Sequence, residues 1–169
     1  MKTRLLRWLR EGIILLALLA VVMLAMDWWR APVAPPSFES MSLHTLNGQT
    51  VTMETLSADK PLLVYFWASW CTVCRFTTPD IAKLYDEGNN VMTIALRSGK
   101  DDEVMKGLQR KDYRFPVVND PHGEISQRFQ ISVTPTLLVI YQGRIISTTS
   151  GWTSYWGMKL RLWWATVAR

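Results

Sequence analysis

The stretch Leu62 to Cys74, Leu-Leu-Val-Tyr-Phe-Trp-Ala-Ser-Trp-Cys-Thr-Val-Cys, constrains this chain more than any other. Leu62–Trp67 is an unbroken apolar run, the pattern of a strand covered on both faces. It leads into Cys71 and Cys74, spaced Cys-x-x-Cys, where a helix should begin. Thr72 to Glu87 reads as that helix, with Ile81, Leu84 and Tyr85 facing inward and Asp80, Lys83 and Asp86 outward. Pro79 lies inside it and should kink it, because proline lacks a backbone donor and crowds the preceding turn.

The two cysteines are the only ones in the chain. Two cannot build a disulfide framework or a four-ligand zinc site. A pair with no competing cysteine suits redox work; a structural disulfide and a metal clip are the alternatives. The thiolate is the nucleophile in disulfide exchange. A helix N-terminus offers unpaired N–H groups and about half a positive charge, so Cys71 is expected to be exposed, with its thiolate favoured. Cys74, one turn further in, is placed to attack a mixed disulfide at Cys71 and release the product.

Around this core the chain alternates strands and helices. Ser42–Leu46, Asn47-Gly48 and Thr50–Met53 read as a hairpin with a type I′ turn, and Thr55–Asp59 as a helical turn. Val91–Leu96 reads as a second buried strand and Asp101–Lys111 as a polar helix with Val104 and Leu108 on one face. A short strand at Phe115–Val118 and a short helix at Glu124–Phe129 follow. Thr136–Tyr141 and Arg144–Ser150 form a second hairpin about Gln142-Gly143. A last helix, about Thr153 to Ala168, carries Trp152, Trp156, Leu160, Trp163, Trp164 and Val167 at helical spacing, expected to pack on the sheet. The fold class is α/β, with a parallel element and an antiparallel edge.

The N-terminus reads as a membrane address. Lys2, Arg4, Arg7 and Arg10 precede an uncharged apolar run, Gly12 to Met26. The run is short against the roughly 20 residues of a membrane-spanning helix. Trp8 and Trp28 bracket it, however, about 30 Å apart at ~1.5 Å per residue, and with Trp29 they would sit in the two interfacial belts. The basic flank belongs in the cytoplasm, which places residues 1–29 as a signal anchor in the membrane and the rest of the chain on its outer side. A cleaved signal peptide is the rival, and a mature N-terminus near residue 27 or 32 would establish it. Residues 30–40, with Pro32, Pro35 and Pro36, read as an extended spacer of up to ~30 Å; the domain then occupies 41–169. The net charge of +5 divides into +3 over residues 1–30 and +2 beyond. A near-neutral domain gives no case for nucleic-acid binding.

Phe66 to Cys74, Pro79, and Val133-Thr134-Pro135-Thr136 together resemble the thioredoxin superfamily. The Trp-Ala-Ser-Trp-Cys form, the N-terminal run and Asn119-Asp120-Pro121-His122-Gly123-Glu124 resemble its membrane-anchored periplasmic (TlpA/DsbE-like) branch. Thr93 to Gly99, Gly151 to Ser154 and Leu160 to Trp164 are similar to the suppressor-of-copper-sensitivity protein D group. The resemblance implies a thioredoxin-like fold, a central mixed sheet flanked by helices. It also implies a cis Pro135 facing the cysteines, with Thr134 lining the same substrate groove and Trp70 bordering Cys71. Two positions depart from it. Tyr65 stands where many thioredoxins keep a buried acid, and Thr77 where cytochrome-c-maturation relatives often have Glu. The acceptor of the Cys74 proton is therefore open between water and a remote carboxylate such as Glu124.

These features point to a thiol–disulfide oxidoreductase in which Cys71 attacks and Cys74 resolves. It needs no cofactor beyond its own Cys71–Cys74 disulfide and no metal, since His44 and His122 read as surface residues. Its partners are protein disulfides or thiols and, by the resemblance, a membrane reductase that supplies electrons, with a link to copper tolerance. A disulfide oxidase or isomerase, a Cu(I)-binding module using the same two sulfurs, and a tethered scaffold with a structural disulfide are the alternatives.

Overall fold

The structure, a computed structural model, describes residues 2–29 and 33–167. The chain divides into two units, 1–31 and 32–169. The first is a single helix, α1 (Lys2–Trp29), whose described apolar side chains, Ile13 to Leu16 among them, are exposed. Among the described residues no helix is long and apolar enough to cross a membrane. Within α1 the side chains of residues 2–6, 9, 20, 23, 24 and 26–29 lie outside the described set; the belt residues Trp28 and Trp29 are among them. Residues 30–32 of the expected spacer are outside it too. The end of the spacer folds back: a 3-10 turn, Phe38–Ser40, buries Phe38.

The second unit is built on a five-stranded sheet in the order β5-β4-β3-β6-β7. Its strands are β3 (Leu62–Trp67), β4 (Asn90–Leu96), β5 (Val117–Asp120), β6 (Thr136–Tyr141) and β7 (Arg144–Ser150). β3 runs parallel to β4 and antiparallel to β6, and it is central because every residue from Leu62 to Phe66 is buried. Its side chains alternate between two cores. Leu63 and Tyr65 pack with Ile81 and Leu84 of α3 (Cys74–Asp86), Val104 and Leu108 of α4 (Asp101–Arg110), and Met158 and Leu162 of α6 (Tyr155–Val167). Leu62, Val64 and Phe66 pack on the other face with Phe38, Met53 of α2 (Met53–Ser57) and Phe129, which follows α5 (Glu124–Arg128).

Several expectations shift. β1 (Ser42–His44) and β2 (Thr50–Thr52) pair as a hairpin, but only Gly48 has positive φ and Asn47 does not. A type I′ turn needs both, so the loop is the three-residue kind ending on a left-handed glycine. α2 starts two residues early, at Met53, because Thr52 caps it: its hydroxyl accepts the Thr55 N–H at 3.1 Å. β5 covers Val117–Asp120 rather than Phe115–Val118. The buried Asp120 carboxylate accepts the N–H groups of Ile125 and Ser126 at 3.2 and 2.8 Å, closing the start of α5. Asp120→Ala leaves both donors unpaired and should cost about 2 kcal/mol in denaturant unfolding.

The last helix begins at Tyr155, and the face expected to be core is the outer one. Met158, Leu162 and Ala165 are buried, whereas Trp152, Trp156, Leu160, Trp163, Trp164 and Val167 are exposed. Both sets have helical spacing. The inner one has the smaller side chains, which fit over a face already filled by Tyr65, Ile81 and Leu84. α6 is clamped to α3 by Glu87, which accepts from Tyr155 Oη at 2.6 Å and from Lys159 Nζ at 2.9 Å. Those two bonds, Tyr155 first, hold the Glu87 carboxyl below its usual range.

Candidate active site

Cys71 and Cys74 are joined as a disulfide, their Cα atoms 5.3 Å apart. Helix α3 starts at Cys74 rather than Thr72, and Val73 at its N-cap makes no side-chain bond. The sulfur of Cys71 fills that role, accepting the Cys74 N–H at 3.1 Å. The helix end thus aims a donor at the sulfur that must carry negative charge, as a nucleophilic thiolate requires. Both cysteines are buried, Cys71 at 6 % exposure and Cys74 at 2 %, so the expected exposure of Cys71 is corrected. Trp67 and Ala68 pack over the pair, and the exposed side chains Trp70, Val73 and Phe76 surround it in sequence.

Two loops meet at the pair. The Thr134–Pro135 peptide bond is cis, and Thr134 O lies 3.4 Å from Cys71 Sγ. Pro135 is buried and Thr134 half-buried. Pro135 O accepts the Gly151 N–H at 2.7 Å, tying this loop to the end of β7. On the other side, Trp70 donates its indole N–H to Arg97 O at 3.1 Å while its ring stays 60 % exposed. The Ser69 N–H reaches Ser98 Oγ at 2.9 Å. The structure therefore brings Trp70, Cys71, Cys74, Thr134 and Pro135 to one end of the sheet.

The position expected to hold an acid carries a phenol with no base beside it. Tyr65 Oη lies 3.0 Å from Thr78 Oγ1, which donates to Cys74 O at 2.7 Å. Thr78 has one proton and gives it to that carbonyl, so Tyr65 must be the donor to Thr78. Burial pushes the Tyr65 phenol far above its usual range; it stays neutral and cannot take a proton. Tyr65→Phe should cost about 1 kcal/mol of stability and leave the exchange rate within about twofold, checked by unfolding and insulin-reduction kinetics. Thr77 is buried, its hydroxyl turned to Val73 O at 3.5 Å.

A cavity of about 660 Å³ opens beside the pair, with Cys71, Cys74, Thr78, Arg75, Glu103 and Arg110 in its wall. Glu124 is not in that wall; it sits exposed at the start of α5, which packs against β5. Glu103 is the carboxylate that lines the cavity, and its Oε2 is held by the Lys100 N–H at 2.8 Å. The sequence reading missed Glu103 and Arg110, because nothing in a polar helix marks the turn that will face a cysteine about 30 residues away, and it passed over Arg75, whose place next to Cys74 was the available signal. The Arg97–Ser98 brace had a local signal, the turn residues Ser98-Gly99 after β4. Among the described residues no group of three or more His, Cys, Asp or Glu is placed to hold a metal ion.

Comparison with known proteins agrees with this geometry. Residues 34–149 match the AhpC/TSA family. A thioredoxin-like protein of Haemophilus influenzae is 43 % identical over 93 % of this chain and 94 % of its own length. The thiol-disulfide oxidoreductase ResA of Oceanobacillus iheyensis is 28 % identical, over 79 % of this chain and 76 % of its own. The crystal structure of StoA from Bacillus subtilis superimposes with a TM-score of 0.63 at 23 % identity, covering 76 % of this chain and 98 % of that one, a likeness of fold. The chain belongs to the AhpC/TSA family, as a thioredoxin-like oxidoreductase.

Proposed function

We propose that this oxidoreductase exchanges disulfides with protein substrates through Cys71, with Cys74 as the resolving thiol, and that it works as a reductant. The observation that carries the reading is the meeting at Cys71 Sγ of the Cys74 N–H and Thr134 O beside the cis proline. In the reduced protein the Cys71 thiolate attacks one sulfur of a substrate disulfide. The Cys71–substrate bond forms, the substrate S–S bond breaks, and the departing sulfur takes up a proton. Cys74 loses its proton to water in the adjoining cavity and attacks Cys71 Sγ. The mixed disulfide breaks, the second substrate thiol leaves, and the protein is left two electrons oxidised as the Cys71–Cys74 disulfide. An extended substrate segment would lie along Thr134 and Pro135, with Trp70 at its edge. The cycle uses the cysteine pair alone, with no resident cofactor or metal.

Residues 1–29 would serve as the anchor, N-terminus in the cytoplasm and domain in the periplasm. The basic residues before the apolar run and the exposed apolar side chains of α1, Ile13 to Leu16 among them, support this. A tethered reductant in an oxidising compartment must be recharged, which calls for a membrane reductase as electron donor. The link to copper tolerance belongs to the same proposal, since reduced Cys71 and Cys74 are soft ligands that suit Cu(I). Tight stoichiometric Cu(I) binding without disulfide exchange would replace the enzyme reading with a copper carrier.

The test is the reduction potential of the pair together with its state in cells. A value near −270 mV with thiols in vivo supports the reductant, and one near −120 mV with a resting disulfide assigns an oxidant instead.

A further inference from the structure

The cavity beside the cysteines has a wall that exchange with a protein disulfide leaves without a task. It lies on the α4 side of the pair: Val104, Gly107, Leu108 and Arg110 line it, and neither Thr134 nor Pro135 does. Cys71 and Cys74 both belong to that wall, although each is otherwise buried. A volume of about 660 Å³ falls within the ~300–1,000 Å³ of small-molecule sites. Along α4 the wall runs from Glu103 to Arg110, roughly 10 Å at ~1.5 Å per residue. Gly107 sits between them, and a Cβ there would meet nothing within 4 Å. Glycine weakens a helix interior; here it keeps the wall open.

The charge of the wall identifies the ligand. Arg75, Arg110 and Lys111 line it against one carboxylate, Glu103, whose Oε2 already accepts the Lys100 N–H at 2.8 Å. Among the described residues none of the three cations makes a side-chain hydrogen bond or ion pair. The acids beside them in sequence are spent elsewhere. Asp101 accepts from Asn119, Asp102 pairs with Lys106, and Asp112 pairs with Arg114. A concave wall with an excess of one charge concentrates ligands of the other. Val104, Leu108 and the half-buried Tyr113 give the rest of the wall an apolar surface. Cations around an apolar surface, with a redox disulfide in the same wall, fit a small thiol whose short carbon chain ends in a carboxylate.

We propose that this cavity takes carboxylate-bearing low-molecular-weight thiols and their disulfides as a second class of exchange partner, reaching the pair from the α4 side. This rests on the cycle above, with Cys71 as nucleophile. In the reduced protein the Cys71 thiolate attacks one sulfur of the small disulfide, that S–S bond breaks, and the departing thiolate takes up a proton. Cys74 gives its proton to water and attacks Cys71 Sγ. The second small thiol leaves, and the protein holds the Cys71–Cys74 disulfide. Run backwards, two such thiols reduce the pair. The probes are dithiodipropionate and its diamide, which share a skeleton and differ in charge. Stopped-flow tryptophan fluorescence of the reduced full-length protein in detergent follows oxidation by each, divided by the rate of the same probe with dithiothreitol. The dianion should run about tenfold faster than the diamide at low salt, and the ratio should fall toward one by ~1 M salt. Arg75→Gln/Arg110→Gln should bring the low-salt ratio close to one. A wild-type ratio of one, with insulin still exchanged, would overturn the proposal and leave the cycle standing. No exchange with insulin or with either probe would bring down both. A ratio that survives the double variant would place the anion outside this cavity and overturn the proposal as well.

Discussion

Cys71→Ser should lower disulfide exchange by at least ~10³-fold, because it removes the nucleophile of the proposed cycle. Stability should match that of the reduced wild type, since Cys71 contributes one accepted N–H to the start of α3 and a serine oxygen can accept it too. Cys74→Ala should behave differently. Attack by Cys71 still proceeds, but nothing nearby can break the mixed disulfide, and clients should accumulate as covalent adducts. Non-reducing electrophoresis reads both outcomes: no adduct with Cys71→Ser, and adducts that collapse on reduction with Cys74→Ala. Adducts on Cys74 in a Cys71→Ala variant, at the same yield, would reverse the assigned roles. The trapped proteins would also name the clients and, if one is a membrane protein, the electron donor.

Phe129→Ala should be the costliest substitution away from the cysteines, at about 3–5 kcal/mol. Phe129 is fully buried, edge-on to Phe38 with centroids 5.9 Å apart and tilted against Phe66 at 5.6 Å. Its removal opens a cavity against the central strand and frees Phe38. Denaturant unfolding should show the loss, and proteolysis should then cut near Phe38 before the sheet yields. A cost under 1 kcal/mol would mean that Phe38 and Phe66 close the gap themselves. Phe129 follows a helix of only five residues, so few turns need to move and such closure is the outcome to watch for.

The central strand and the order of elements were legible because each has a local cause, whereas the meeting of Cys71 with Thr134 and Pro135, 63 residues further along the chain, followed only from the family resemblance. An unbroken apolar run of only six residues, set off by Pro61, reads as an inner strand, and the cysteine spacing matches one turn of helix. Other features depend on what lies across from a residue. α6 presents two apolar stripes, and only the space left above Tyr65 and Ile81 decides which turns inward. Cys71 is buried because Trp67 and Ala68 cover it, a matter of packing that helix position does not encode. Glu103 enters the cavity wall through the placing of α4, and Glu124 leaves the problem because α5 packs on β5. Local chemistry fixed the pair, the family resemblance supplied its partner loop, and tertiary packing fixed the surroundings.

The neutral phenol at position 65 makes the catalytic pair a clock. Where a carboxylate waits beside the resolving thiol, release is an internal event and runs at its own rate. Here Tyr65 holds its proton and spends its bond on Thr78, so in the cycle proposed above the Cys74 proton leaves through the adjoining cavity, to water unless Glu103 in its wall intercepts it. The rate of adduct breakdown should climb about tenfold per pH unit until the Cys74 thiol itself ionises, measurable by stopped-flow release of a fluorescent thiol. A slope near zero around neutrality would reveal an internal base. The dwell time of a captured client then follows the acidity of its surroundings: an acidified compartment prolongs each encounter, and a client with a further free thiol gains time to rearrange before it is let go.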